Sequence, residues 1–355
     1  MQKCLVVISL LVIVVVLVSF SSKDNEADNL RKIYSQPSSQ WPAPFIDEGV
    51  DWKELGMLPE SPTEHQKDSL KHLIKLGKIL FFDTRLSGSG KISCATCHQP
   101  ELNWTDGKEK SIGHEGTFNK RNSPTIQNTW FYKKLFWDGR SNSLEDQAFA
   151  PINSESEMHG DIKDLPRSLR KVKQYVLLFD SAFGDPAIDP DRIATALATF
   201  ERTITSRKSK FDEFLSGNKR AMNNDELKGL HLFRTKARCM NCHNGPVFSD
   251  NSFHKSVFGE VDDEGLFNVT HKEDDIGKFK TPSLRDVIRT GPWGHAGKVK
   301  PMMDILLFYN KMSPSPATNR TQKLYLNSKE LSALLYFLEA ISSQPVSFIK
   351  PHIPQ

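Results

Sequence analysis

Apolar residues recur at helical spacing along most of this chain. Between Thr63 and Phe82, the residues Leu70, Leu73, Ile74, Gly77, Leu80 and Phe81 fall on one face, the three-and-four spacing of an amphipathic helix. Thr63 is the candidate cap. A second long segment follows Asp191, with Ile193, Leu197, Phe200 and Ile204 on one side. The same spacing predicts helices over 224–234 (Leu227, Leu230, Phe233), 301–311 and 328–342 (Leu331, Leu334, Leu335, Leu338, Ile341). No segment of useful length alternates with period two, so the pattern predicts a mainly α-helical protein with long loops.

Two stretches near the N-terminus do not fit that pattern. The run from Leu5 to Phe20 is apolar and uncharged, follows Lys3, and gives way to "SSKDNEADN". This is the layout of an export signal, over 1–22. It is shorter than the ~20 residues that span a bilayer, and left uncleaved it would tether the chain to a membrane. Residues 23–60 are rich in Pro, Ser and Asp without a sustained period, which predicts an extended arm with a few aromatic anchors.

The remainder contains an internal repeat. "LGKILFFDTRLSGSGKISCATCHQPELNWTDG" and "LKGLHLFRTKARCMNCHNGPVFSDN" each run from a helix through Leu-Phe and Cys-x-x-Cys-His to an aromatic residue, a small residue and Asp. The repeat predicts two related helical domains, over 61–205 and 206–345, joined near 205–222.

Four of the five cysteines lie in those two units. In an exported chain, paired cysteines normally suggest disulfides, but this spacing is the attachment signature of c-type haem. Two thiols form thioethers to the porphyrin, and the adjacent His is placed as axial ligand. The expected assignment is haem 1 on Cys94, Cys97 and His98, and haem 2 on Cys239, Cys242 and His243. Zinc sites usually bring a second Cys pair within about 20 residues, and redox dithiols sit in a βαβ context; neither is present here. Cys4 precedes the apolar run, where no lipoprotein cysteine lies.

A formal net charge of +4 over 355 residues, with basic and acidic residues interleaved, speaks against nucleic acid as a partner. The second axial position of each iron then decides between electron transfer and reaction with small molecules. His114 and Tyr309 are candidates for it, although by residue type alone each could be an ordinary surface or core side chain.

The segment "SIGHEGTFNKRNSPTIQNTWFYKKLFWDGRSNSLEDQAFAPINSESEM" at 111–158 closely resembles the bacterial di-haem cytochrome c peroxidases, as do "KTPSLRDV" at 280–287 and "TGPWGHAG" at 290–297. The resemblance spans roughly 60–345. It implies two cytochrome c-like helical domains with one c-type haem each, the N-terminal one peroxidatic and the C-terminal one for electron transfer. Trp137 in "FWDGR" would be the tryptophan between the haems, although core packing is the usual work of a Trp. Glu157 in "ESEM" would be the distal acid-base residue, with Gln147 hydrogen-bonding the peroxide and Pro151 shaping the pocket. His114 in "IGHEG" would be a removable sixth ligand of haem 1. Asn122 by its side chain, with the carbonyls of Thr290 and Pro292, would hold a calcium ion between the haems.

One position departs from the usual peroxidase pattern. Those enzymes place a Met about 17 residues after the Pro corresponding to Pro292, and that position here is Tyr309, as in the MauG-like relatives that oxidise tryptophan side chains of a partner protein. A phenolate is a harder ligand than a thioether and favours ferric iron. Met302, Met303 or Met312 could supply a Met after a small register shift. The resemblance therefore implies an exported, periplasmic peroxidase that reduces hydrogen peroxide with electrons from a small cytochrome c or cupredoxin, and it implies a homodimer. The alternatives are a MauG-like oxidase, favoured by Tyr309 but not by His114, and a di-haem electron carrier that would have no use for Glu157 and Gln147.

Overall fold

The computed structural model describes residues 27–355 except 257, 259–261, 319 and 346. The export-signal stretch lies outside the described residues. The elements in chain order begin with α1 (27–34), α2 (Lys67–Phe82) and the short α3 (Cys94–Cys97). Next come α4 (Leu144–Asn153), α5 (Leu165–Arg170), α6 (Lys173–Phe183), α7 (Pro190–Glu201), α8 (Lys210–Leu215) and α9 (Asn224–Arg234). Strand β1 (Phe253–Lys255), α10 (Phe267–Thr270), β2 (Lys278–Lys280), α11 (Met302–Met312), β3 (Ser313–Pro314), β4 (Thr321–Gln322) and α12 (Ser328–Ala340) complete the chain. The strands form two small antiparallel pairs, β1 with β2 and β3 with β4.

The helix starts follow side-chain chemistry more closely than apolar period. Thr63 makes no capping bond and precedes a 3-10 turn at Glu64–Gln66; α2 begins only after it. The second long helix starts at Pro190, where Asp189 accepts from the Arg192 amide, rather than after Asp191; Pro at the first position is pre-set for a helix. Asn223 and Asn327 each close a capping box, with Glu226 and Glu330, and so fix where α9 and α12 begin.

The repeat is visible in the packing. Helix α2 crosses α7 at Gly77, and α9 crosses α12 at Gly229. A Cβ at Gly77 would stand 1.8 Å from the Ala196 carbonyl oxygen, and one at Gly229 would stand 2.0 Å from that of Ala333. Each crossing carries a triangle of aromatic rings. Phe81 and Phe200 lie 5.3 Å apart with Trp104 as the third ring, and Phe233 and Phe337 lie 5.2 Å apart with Phe248 as the third. Both closest pairs are edge-to-face, the arrangement the ring quadrupole prefers. Gly229→Ala must push backbone away from backbone, and the expected loss is about 1–3 kcal/mol. Equilibrium denaturation of the purified variant measures it, and an unchanged midpoint would contradict the close approach.

Two segments reach across the molecule. The arm is not wholly extended: residues 27–34 are helical, because Leu30 and Tyr34, four apart, bury one face in the second of two cores, the one around α9 and α12, the first being around α2 and α7. Trp41 and Leu55 follow them into it. At the other end, Phe348 stacks on Phe82 at 5.6 Å and meets Trp104 edge-on at 5.1 Å, on the first core. The N-terminal arm thus packs on the second core and the C-terminal tail on the first.

Candidate functional site

A cavity of about 1090 Å³ runs between the two cores and is lined by residues of both. Pockets for one small ligand are roughly 300–1,000 Å³, so this one exceeds that range. Cys94, Cys97 and His98 line it from one side, and Cys239, Cys242 and His243 from the other. All four thiols are free rather than joined as disulfides.

The two His rings are held identically. His98 donates its Nδ1 proton to the Trp104 carbonyl at 3.0 Å, and His243 donates to the Phe248 carbonyl at 2.9 Å. Trp104 and Phe248 both have positive φ, 63° and 54°, which turns those carbonyls toward the rings. Burial lowers both imidazole pKa values, against the backbone carbonyls that raise them. A neutral imidazole with Nδ1–H committed presents Nε2 as ligand. Burial also pushes the thiols of Cys94, Cys97 and Cys239 up, that of Cys97 to about 11. The donor set, the free thiols and the cavity size fit two covalently held haems.

Helix α4 presents Leu144, Gln147, Ala148 and Pro151 to the cavity, the 0, 3, 4, 7 stripe of one helix face. Ser143 caps its start. Pro151 has no amide hydrogen, so the helical bond to the Gln147 carbonyl cannot form. Glu157 follows on the loop and lines the same cavity. Burial raises its carboxyl above the ordinary carboxylate range, opposed by the charge of Arg140.

His114 does not line the cavity, although Gly113 does. Its ring stacks on His159 at 4.3 Å, and its Nδ1 is buried without a hydrogen-bond partner. Its loop is fastened to Glu157: the His114 amide donates to the Glu157 carbonyl at 2.8 Å. A Cβ at Gly113 would stand 2.0 Å from the Ser156 carbonyl oxygen, so only glycine permits this approach. The loops of His114 and Glu157 are therefore mechanically joined.

Trp137 lines the cavity and is fixed at both ends of its peptide and ring. Its Nε1 donates to the Asn122 carbonyl at 3.0 Å, and its own carbonyl accepts from the Lys280 amide at 2.8 Å. Asn122 commits its side-chain amide nitrogen to the carbonyls of Lys108 and Glu109, leaving Oδ1 as its atom for a cation. Thr290 and Pro292 line the same cavity. Oxygen donors alone suit a hard cation such as calcium. Arg121 ties the two halves here, bridging Asp138 at 2.6 Å and Asp263 at 2.7 Å.

On α11, Met302, Ile305, Leu306 and Tyr309 face the cavity, whereas Met312 is 45% exposed. Burial raises the Tyr309 phenol, reinforced by the nearby Cys242 and Cys239 thiols. Tyr309 is thus the member of this stripe set beside the second Cys-x-x-Cys-His unit, and Met302 lies about two turns away along the helix.

Sequence reasoning did not single out Glu201, Lys280 or His159. Glu201 ends α7, lines the cavity and is almost fully buried. Burial pushes its carboxyl up to about 8, partly opposed by Arg202 and reinforced by Glu145. The folded protein keeps a proton that the unfolded chain releases at ordinary carboxylate pKa values. The resulting stability is complete below that range, falls as pH rises, and is gone above about 8. The unfolding temperature of the holoprotein is expected to drop between pH 5 and 8 more steeply than that of Glu201→Gln. Parallel calorimetric profiles would contradict the assignment.

Comparison with known proteins adds a family context. The profile described as "Di-haem cytochrome c peroxidase" matches residues 71–220. A cytochrome-c peroxidase of Pseudomonas sp. (strain SCT) is 35% identical, over 84% of this chain and 89% of that protein. The methylamine utilization protein MauG of Methylophilus methylotrophus is also 35% identical, over 79% and 85%. Among solved structures, a MauG-like protein associated with microbial copper homeostasis superposes with a TM-score of 0.70 at 27% identity. That match covers 84% of this chain and 96% of the other.

Proposed function

Because the chain belongs to the di-haem cytochrome c peroxidase family, we propose that it reduces hydrogen peroxide to water in the periplasm, drawing electrons from a small cytochrome c or cupredoxin. The observation that carries this reading is Glu157. A carboxyl raised by burial stands with Gln147 and Pro151 on the cavity wall that also holds Cys94, Cys97 and His98.

The haems supply the electron storage and the iron chemistry that opens the O–O bond. His98 and His243, held by the Trp104 and Phe248 carbonyls, would ligate the irons, and the four cysteines would anchor the macrocycles. Glu157 accepts a proton from one peroxide oxygen and returns it to the other, which then leaves as water. Gln147 orients the peroxide, and Pro151 keeps the wall beside it closed. Trp137, immobilised through Asn122 and Lys280, bridges the two halves. Asn122, Thr290 and Pro292 would hold a calcium ion beside that bridge. His114 would serve as a removable ligand of haem 1, and the stack on His159 would be its seat when it is not holding the iron.

Tyr309 supports a second reading. A phenol beside Cys239 and Cys242 would hold the iron of haem 2 and favour its ferric state, which suits a MauG-like oxidase of a partner protein. Electron paramagnetic resonance distinguishes the two. The peroxidase reading expects low-spin haem 1 in the oxidised protein, turning high-spin on half-reduction. A haem 1 already high-spin when oxidised, reacting with peroxide directly, supports the oxidase. Partnering of two chains in a homodimer and membrane anchoring through the N-terminus are further parts of the proposal, read out by light scattering and by fractionation.

A further inference from the structure

The cavity wall contains a lysine with no ion-pair partner among the described residues. Lys280 ends β2 and faces the cavity. Its ammonium stands 3.7 Å from the centre of the Tyr132 ring, and no carboxylate among the described residues forms an ion pair with it. Asp250 acts on it only at a distance, being itself bonded to His254 at 2.6 Å. Lys280 is half-buried, and an ammonium drawn out of water without a counter-charge costs free energy that an ion pair recovers only with good geometry. Burial accordingly lowers its pKa to about 8.

A charge arranged in this way needs an anion from whatever fills the cavity. Each haem brings two carboxylates on its propionate arms. Lys280 stands two residues before Pro282, whose backbone acts on His243, so it belongs to the half that holds haem 2. The hydrogen bond that its backbone amide donates to the Trp137 carbonyl places it also at the bridge between the halves. Tyr132 supplies a ring face that holds the ammonium in place.

We propose that Lys280 is the residue that binds a propionate of haem 2, and that it sets the potential of that haem at the junction with Trp137. This rests on the two-haem reading but not on peroxide turnover. A cation paired with a propionate cancels negative charge near the iron and favours the ferrous state. Its loss leaves the carboxylate uncompensated and favours the ferric state.

The test is potentiometric titration of the holoproteins Lys280→Met, Lys280→Gln and Lys280→Arg, with both haems followed by visible spectroscopy and no peroxide present. Met and Gln should shift the ferric/ferrous equilibrium of haem 2 toward ferric by at least about tenfold, or about 59 mV for a one-electron couple. Haem 1 should move less, and Arg should stay near the wild type. Haem 2 within about twofold of wild type in both Met and Gln overturns the proposal. So does an equal shift in Arg, which would mark a packing effect, or a larger shift at haem 1. A wild type inert to peroxide would refute the peroxidase reading and leave this titration unaffected.

Discussion

Replacing Glu157 with Gln is expected to lower kcat for peroxide reduction by about 10²–10⁴-fold, the usual contribution of a positioned proton-transfer group. Gln keeps the size and hydrogen-bonding capacity of the side chain and removes only its ability to take and return a proton. The buried loop should therefore stay in place, including the Glu157 carbonyl that accepts from the His114 amide. Reduction of the haems by the donor should keep its wild-type rate, since that step needs no acid-base group. A wild-type pH profile adds a second check. The acid limb of kcat/KM should lie above the ordinary carboxylate range, because burial holds the Glu157 proton on to higher pH. Activity falls as pH drops through that value, and the limb should vanish in the variant. An unchanged kcat would contradict the acid-base role assigned to Glu157.

Removal of the Asp212 carboxylate should destabilise the protein by about 3–5 kcal/mol, the cost of leaving one member of a buried ion pair uncompensated. Arg285 is 2% exposed, and its guanidinium meets both Asp212 oxygens, at 2.9 and 3.0 Å. It also donates to the carbonyls of Pro246 at 2.6 Å and Gly56 at 2.9 Å. One side chain thus ties the arm, α8 and the turn after His243. Burial alone would raise the Asp212 carboxyl, but the hydrogen bonds and charge of Arg285, with Ser209, carry it below its ordinary value. The contribution is therefore present above the ordinary carboxylate pKa and is lost as pH falls through the lowered folded value. Denaturant titrations of Asp212→Ala at neutral and acid pH should converge with the wild type on the acid side. A loss below about 1 kcal/mol at neutral pH would contradict this account.

How much of this was legible in the sequence depends on which signals are local. Helices α2, α9, α11 and α12 follow from apolar spacing, and α9 matches its predicted limits of 224–234. Shorter helices such as α5 and α8 went unread because six residues give too little period to detect. The helix at 27–34 was missed for a different reason: its partner face is the second core, some 200 residues away in sequence. The Cys-x-x-Cys-His units announce themselves, since spacing is the chemistry. The aromatic residue, small residue and Asp that follow each unit were visible as a repeat, but their use was not. It lies in the positive φ of Trp104 and Phe248, which aims a backbone carbonyl at each His.

Glu201 and Lys280 were invisible for a third reason, since charge in a sequence usually means solvent, and only the fold puts these two against a cavity. The position of His114 depended likewise on tertiary packing. Its segment matches the peroxidase pattern, yet the ring rests on His159 rather than on the cavity wall.

The most direct test of the central claim is to reduce both haems of the holoprotein anaerobically, add one equivalent of hydrogen peroxide, and count the haems reoxidised. Reduction of peroxide to water takes two electrons, so the account predicts that both haems become ferric and the peroxide is consumed. Haems that stay ferrous while the peroxide persists would contradict it.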